Sequence, residues 1–143
     1  MKKTSKARFW STCIHEASHA VMGAYLQIRI GRVWVSPKTG EGRCYFFLNA
    51  DKIQRVAILL AGSIGEQLWS KRKRRHITKD DFEDIRRLKI SESSMALLHP
   101  RVKEVIRAHR GAVMYLAKAL SVSNLLSGEE VRKVLNLRKK YWR

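Results

Sequence analysis

Two histidines and a glutamate near the N-terminus lie at a spacing that lets all three act on one metal ion. In His15-Glu16-Ala17-Ser18-His19 the imidazoles are one helical turn apart, so on a helix they face the same side. Neutral imidazole suits zinc, and Glu16 lies where a carboxylate can take a proton from zinc-bound water. The alternative is two surface histidines on an amphipathic helix. The motif predicts a zinc site with Glu16 as the catalytic base.

A third ligand is expected, because a catalytic zinc generally takes three protein ligands and leaves one position for water. An extended motif would place a histidine ten residues after His15, but that position is Tyr25. An acidic ligand is therefore more attractive. The alternative role for most of these acids is to stabilise a helix N-terminus, where their negative charge complements the macrodipole. The densest acidic group contains the candidates Asp80, Asp81, Glu83 and Asp84.

Charge is the unusual feature of the composition. Thirty Lys and Arg face twelve Asp and Glu among 143 residues, a formal net charge of +18. Such an excess predicts attraction to polyanions such as nucleic acid, the ribosome or anionic lipid, without sequence-specific recognition. The alternative is a solvated loop and tail. The candidate polyanion-binding residues are Lys71, Arg72, Lys73, Arg74 and Arg75, to which the basic end of the chain, 138–143, could contribute.

The cysteines and the hydropathy of the sequence indicate where in the cell the protein is located. The two cysteines, Cys13 and Cys44, form no CxxC pair, which argues against a disulfide-stapled secreted domain and fits a reducing cytosol. No apolar run is long enough to span a bilayer. We expect a soluble cytoplasmic protein without a transmembrane segment, and an oligomer stays open.

Hydrophobic periodicity predicts a mostly helical α+β fold in one domain, with a small hairpin or sheet after the first helix and a helical C-terminal half. The first helix covers the apolar positions between Phe9 and Leu26, with Ser5 or Thr4 as its cap. Two β-rich runs, Gln27 to Ser36 and Cys44 to Leu48, flank a turn with two glycines and predict a hairpin. The remaining predicted helices are Lys52 to Trp69 capped by Asp51, a short helix from Thr78 to Leu88, one from Pro100 to about Leu120, and Gly128 to Arg138 with a Ser127/Glu130 capping box.

Several segments in order resemble the peptidase domain of the FtsH-type ATP-dependent metalloproteases. HEASHAV, from His15, is similar to that family's HEAGHAV, with Ser18 in place of a glycine. Arg32 to Pro37, then Gly42 and Tyr45 to Leu48, resemble its strand, glycine turn and strand. LAGSIGE, from Leu60, resembles its LAGRAAE segment, and 77–88 takes the place of its aspartate-bearing segment. The resemblance covers most of residues 1–90, the expected metal-site core, and little of the C-terminal helices and basic tail in 91–143.

The resemblance implies a zincin-like fold and one zinc per chain, held by His15, His19 and an aspartate, with Glu16 as the base. Asp81 is preferred as the third ligand because apolar residues follow it at the family's spacing. Asp84 is the alternative, because counting residues forward from His76 favours it. Glu66 matches a family glutamate that could orient a ligand histidine, although a solvated helix-face acid is as good an interpretation.

We expect no counterpart of the family's ATPase module or membrane anchors, and the expected substrates are therefore peptides, unfolded segments or exposed termini of proteins. The leading hypothesis is a zinc metalloendopeptidase. The second is a basic nucleic-acid- or ribosome-associated protein on a peptidase-like scaffold. A regulator that binds a partner protein through the groove is the third.

Overall fold

The computed structural model describes residues 5–47, 50–70 and 77–137. The described part of the chain is mainly helical with a small antiparallel sheet, so the predicted α+β class is confirmed. The basic run Lys71 to Arg75 and residues 138–143 lie outside the described ranges. The elements in chain order are α1 (Lys6–Tyr25), β1 (Ile30–Val35), β2 (Gly42–Phe46), α2 (Lys52–Trp69), α3 (Lys79–Arg87), α4 (Glu92–Ala108), α5 (Arg110–Ser123), β3 (Leu125–Ser127) and α6 (Gly128–Leu137).

Helix α1 is the central element of the fold. It begins after Ser5, whose hydroxyl accepts the Arg8 amide at 3.1 Å, as predicted for a cap. Every residue from Ser11 to Gly23 is buried, because α1 packs against the sheet and α5 on one side and against α2 on the other. The histidines and the glutamate of the motif are therefore held inside the protein rather than on an amphipathic surface.

The sheet has the strand order β2-β1-β3, with both pairs antiparallel. Val33 lies at its centre, opposite Cys44 on β2 and Leu126 on β3, and is fully buried. The predicted hairpin is therefore present, and the sequence did not predict the third strand. The far side of β2 pairs with no strand among the described residues, so β2 is an edge strand there.

Two predicted helix starts are confirmed by their caps. Helix α2 has the predicted bounds. The backbone N–H of Gln54 donates to the Asp51 carboxylate at 2.8 Å, and the backbone N–H of Asp51 donates to the side-chain oxygen of Gln54 at 3.0 Å. The Ser127 hydroxyl accepts the Glu130 amide at 3.1 Å, and the Glu130 carboxylate accepts the Ser127 amide. Both are capping boxes, in which two backbone N–H groups that the helix itself leaves without acceptors are hydrogen-bonded.

The prediction that Pro100 opens a helix running to about Leu120 is wrong. Helix α4 begins at Glu92, because the Ser91 hydroxyl accepts the Ser94 amide at 3.1 Å and caps it. Pro100 lies inside α4, and the helical path breaks at His109, between α4 and α5. The serine-rich stretch before Pro100 therefore supplies the cap of α4.

None of the helices in the described ranges combines the length and the apolar character that crossing a bilayer requires.

Candidate metal centre

The two histidines of the motif point into one place from successive turns of α1. His15 Nε2 lies 2.8 Å from Asp81 Oδ2, and His19 Nε2 lies 3.2 Å from the same oxygen. Both imidazole rings are buried, and their centroids are 4.6 Å apart. One carboxylate oxygen on α3 thus meets two ring nitrogens on α1, although these residues are far apart in sequence.

The other nitrogen of each ring is held by an acceptor on α2. His15 Nδ1 donates to Glu66 Oε1 at 2.7 Å, and His19 Nδ1 donates to the Ile58 carbonyl at 2.6 Å. With the proton on Nδ1, a neutral ring turns the lone pair of its Nε2 toward Asp81. Ligand histidines are commonly oriented in this way by a carboxylate or a backbone carbonyl.

The donor set fits a divalent cation. Two imidazole lone pairs and a carboxylate oxygen repel one another at these distances unless a proton or a cation lies among them. The ligand atoms of His15, Glu16 and His19 also lie within 4.8 Å of one another. Nitrogen and carboxylate oxygen in this combination are ligands that zinc accepts.

Gly62 lets the backbone of α2 come close to this centre. A Cβ atom built there would lie 2.5 Å from His19 Nε2 and 2.6 Å from His15 Nε2. Such distances are below contact, and the clash would fall on the two nitrogens that face Asp81. A glycine is therefore required where α2 passes the candidate ligands.

Of the two aspartates weighed from the sequence, the structure brings Asp81 to the histidines. The Asp81 side chain is 13% exposed, whereas that of Asp84 is 40% exposed and pairs with Arg87 at 3.6 Å. Asp80 is 77% exposed and lies 3.9 Å from Arg43. Helix α3 thus brings the carboxylate of Asp81 to the histidines, while Asp80 and Asp84 lie nearer the solvent and Glu83 is exposed.

Glu16 lies beside the histidines and faces the start of β2. Its Oε1 is 3.9 Å from His19 Nε2, and the residue is 5% exposed. A Cβ at Gly42 would lie 2.8 Å from Glu16 Cγ and 3.0 Å from Oε2, so the glycine lets the edge strand approach the carboxylate. Glu16 is therefore placed between the candidate ligands and the edge strand.

Burial and neighbouring charges shift the titration of all four groups. Burial lowers the pKa of His15, but hydrogen bonds to Asp81 and Glu66 outweigh it and raise that pKa to about 10. The pKa of His19 rises as well, because the Asp81 charge outweighs burial. Burial opposes the charge of Asp81, yet the two histidines hold its pKa below the usual range. Burial raises the pKa of Glu16 despite both histidines.

An open cleft of about 790 Å³ runs past the centre, and β2 forms part of its wall. The Thr12 hydroxyl donates to the Gly40 carbonyl at 2.6 Å and fixes the β1–β2 turn against α1. Sequence reasoning did not identify Thr12, although its position one turn before Glu16 on the same helix face was a usable signal. It also missed the Ile58 carbonyl, for which the sequence offers no signal because any residue carries a carbonyl.

Compared with known proteins, the chain matches no protein-family model and no curated sequence. The likeness to FtsH-type peptidase domains therefore rests on the motifs quoted above, and the function has to be argued from the geometry of the site.

Proposed function

We propose that this protein is a zinc-dependent metallopeptidase. The observation that carries the proposal is the meeting of His15 Nε2, His19 Nε2 and Asp81 Oδ2 beside the Glu16 carboxylate. Two imidazoles and one carboxylate would hold the ion and leave a position for water. When bound there, zinc would polarise the substrate carbonyl and make water easier to deprotonate.

Glu16 is the proton carrier of the proposed reaction. Its pKa is raised by burial, so it holds a proton better than an exposed glutamate does. It accepts the proton of the attacking water as the new carbon–oxygen bond forms, and it delivers that proton to the amide nitrogen as the carbon–nitrogen bond breaks. The hydrolysis is balanced by one water and needs no further reactant.

Both imidazoles have to be neutral to hold zinc, so a binding ion would displace the protons that the raised pKa values of His15 and His19 otherwise favour. Glu66 and the Ile58 carbonyl hold the two Nδ1–H groups, which keeps both Nε2 lone pairs directed to the same point. These contacts remove the rotational freedom of both rings. The site is therefore oriented before a ligand arrives.

The edge of β2 is the proposed substrate-binding surface. Its outer backbone groups pair with no strand of the described residues, and Gly42, Arg43 and Tyr45 line the cleft. An extended peptide added beside β2 would run past Glu16, with the strand providing main-chain hydrogen bonds. This mode requires an extended chain, so the proposed substrates are peptides, unfolded segments or exposed termini.

The test separates metal binding from chemistry. Purified protein should hold one zinc per chain by elemental analysis and cleave an unfolded protein such as casein in a chelator-sensitive reaction. Glu16→Gln should retain the zinc and lose activity by about a hundredfold or more, the range for removal of a general base. Asp81→Asn should lose zinc.

Asp84→Asn is the matched control, because it removes an acid from the same helix that does not contact the histidines. It should keep both zinc and activity. Folded protein that takes up no zinc from a metal-buffered solution would refute the proposal, as would undiminished cleavage by Glu16→Gln.

A further inference from the structure

The solvent-facing side of the sheet carries arginines and aromatic rings in alternation. Val33 and Val35 of β1 are buried toward α1, so Arg32 and Trp34 lie on the opposite side. In the strand register Arg32 is opposite Tyr45, and Trp34 is opposite Arg43. Each arginine on one strand therefore faces an aromatic residue on the other.

The pattern continues past the strand ends. Phe47 follows β2, and the Arg29 guanidinium lies 5.4 Å from its ring centroid. The Tyr45 and Phe47 side chains are 40% and 51% exposed. We call this surface the outer face, and it consists of Arg29, Arg32, Trp34, Arg43, Tyr45 and Phe47.

The outer face is positively charged. All twelve acidic residues of the chain fall in the described ranges, and among those ranges only Asp80 forms an ion pair with an outer-face arginine, at 3.9 Å from Arg43. The guanidinium of Arg32 lies 4.6 Å from the Tyr45 ring centroid instead of against a carboxylate. Arg29 likewise contacts a ring and no acid. These charges remain available to an anionic ligand.

We propose that the outer face binds single-stranded nucleic acid. Phosphates attract the arginines, and unpaired bases stack on exposed aromatic rings. Arginine is suited to this surface because its planar group stacks on a ring and binds phosphate through its edge. A duplex hides its base faces, and an acidic peptide offers charge without flat rings, so neither uses both features of the surface.

The outer face is defined by described residues alone, without the basic run Lys71 to Arg75, and its proposed role does not depend on the peptidase proposal. It borders the cleft, because Trp34, Arg43 and Tyr45 also line the cleft rim. A strand bound to the outer face would therefore lie beside the candidate metal centre.

The first test measures stacking by fluorescence anisotropy with a labelled oligothymidylate and a duplex of the same length. Tyr45→Leu should weaken single-strand binding about tenfold, the scale of one stacked base, and change duplex binding by less than about twofold. Tyr115→Leu is the matched control, because Tyr115 is similarly exposed at 42% but belongs to α5 and not to the outer face. It should leave both affinities unchanged.

The second test measures charge. Replacing Arg29 and Arg32 together by Gln should reduce the slope of log affinity against log salt by about 1.4 for a single strand, which is about 0.7 for each phosphate that an arginine no longer neutralises. Arg101 and Arg107, exposed on α4, form the matched pair for the same substitution. Their replacement should leave the slope nearly unchanged if the strand follows the outer face.

A third measurement uses the unaltered protein, so it does not depend on a variant folding. Photo-crosslinking to a bromodeoxyuridine oligonucleotide, followed by peptide mapping, should mark Trp34, Tyr45 or Phe47. Crosslinks confined to Lys71 to Arg75 or to residues 138–143 would overturn the proposal. Equal losses of single-strand affinity in Tyr45→Leu and Tyr115→Leu would overturn it too. The same holds if polyglutamate binds as tightly as the oligothymidylate does and if Tyr45→Leu weakens both equally.

Discussion

The two sides of the β1–β2 hairpin hold charge in opposite ways. On the inner side, both ring nitrogens of His15 and of His19 have a partner within 3.2 Å, and both rings are buried. On the outer side, Arg29 and Arg32 lie over aromatic rings at 5.4 and 4.6 Å and stay exposed. The inner side fixes one geometry, and the outer side keeps its charges free for a ligand.

This difference sets the size of the effect expected from a substitution. A buried hydrogen-bonded cluster fails when one member is disturbed, because its remaining polar groups are left without partners away from water. Exposed contacts are individually weak, and their contributions add. Substitutions on the inner side should therefore have large effects on metal binding, whereas those on the outer side should have small effects on stability.

The largest effect is expected at Gly62. Gly62→Ala should abolish stoichiometric zinc binding and lower the thermal midpoint, because the new Cβ would lie 2.5 Å from His19 Nε2 on a helix that cannot turn away. Gly31→Ala on the hairpin is the control, since its Cβ would meet no atom closer than 3.6 Å. Zinc content and thermal unfolding measure both. Full zinc content in Gly62→Ala would show that the candidate ligands are not confined by α2.

A thiol on the outer face should react about a hundredfold or more faster than a buried thiol on the inner side. Burial raises the pKa of Cys13 to about 12 and that of Cys44 above its ordinary value, so few thiolates exist at pH 8. Arg32→Cys would place a thiol on the outer face as an exposed comparison. Ellman's reagent should react with this new thiol quickly and with the fully buried Cys13 only after unfolding in guanidinium, while the partly buried Cys44 should react at a rate between the two. Rapid labelling of Cys13 would show that the inner side opens readily.

Removing the Glu66 charge, which lies next to His15 Nδ1, should have an intermediate effect on zinc affinity. Glu66→Gln keeps an oxygen that can accept the His15 Nδ1 proton but loses the carboxylate, so zinc affinity should fall about tenfold to a hundredfold. Competition with a chelating dye measures it. Glu104→Gln, an exposed acid on α4, should change nothing. An unaltered affinity in Glu66→Gln would make Glu66 a packing residue only.

The sequence predicted the elements that depend on local chemistry. The Asp51 cap and the Ser127/Glu130 capping box were predicted because each depends on residues within one turn. The start of α4 was predicted wrongly, because proline is common in the first turn of a helix and Pro100 was taken as its start, whereas the Ser91 cap begins α4 earlier. Strand β3 was missed because three residues carry too little periodicity to identify a strand.

The candidate site was predictable only where a motif carries it. His15, Glu16 and His19 share one helix, so their spacing alone placed them together. The apolar residues that follow Asp81 favoured it over Asp84, but which of the two carboxylates meets the histidines depends on how α3 is rotated against α1 and α2. The Ile58 carbonyl and the outer face depend on helix packing and on cross-strand register, and these appear only once the chain is folded.

The smallest effects are expected on the free energy of unfolding, for substitutions of two adjacent residues on β1, Arg32 and Val33. Val33→Ala should cost about 2 kcal/mol of unfolding free energy, because it empties a fully buried site. Arg32→Gln removes only the cation over Tyr45 and should cost about 0.5 kcal/mol. Denaturant unfolding in excess chelator compares them without a contribution from metal binding. Equal costs would mean that the Arg32–Tyr45 stack supports the fold, and the outer face would then lose its basis as a binding surface.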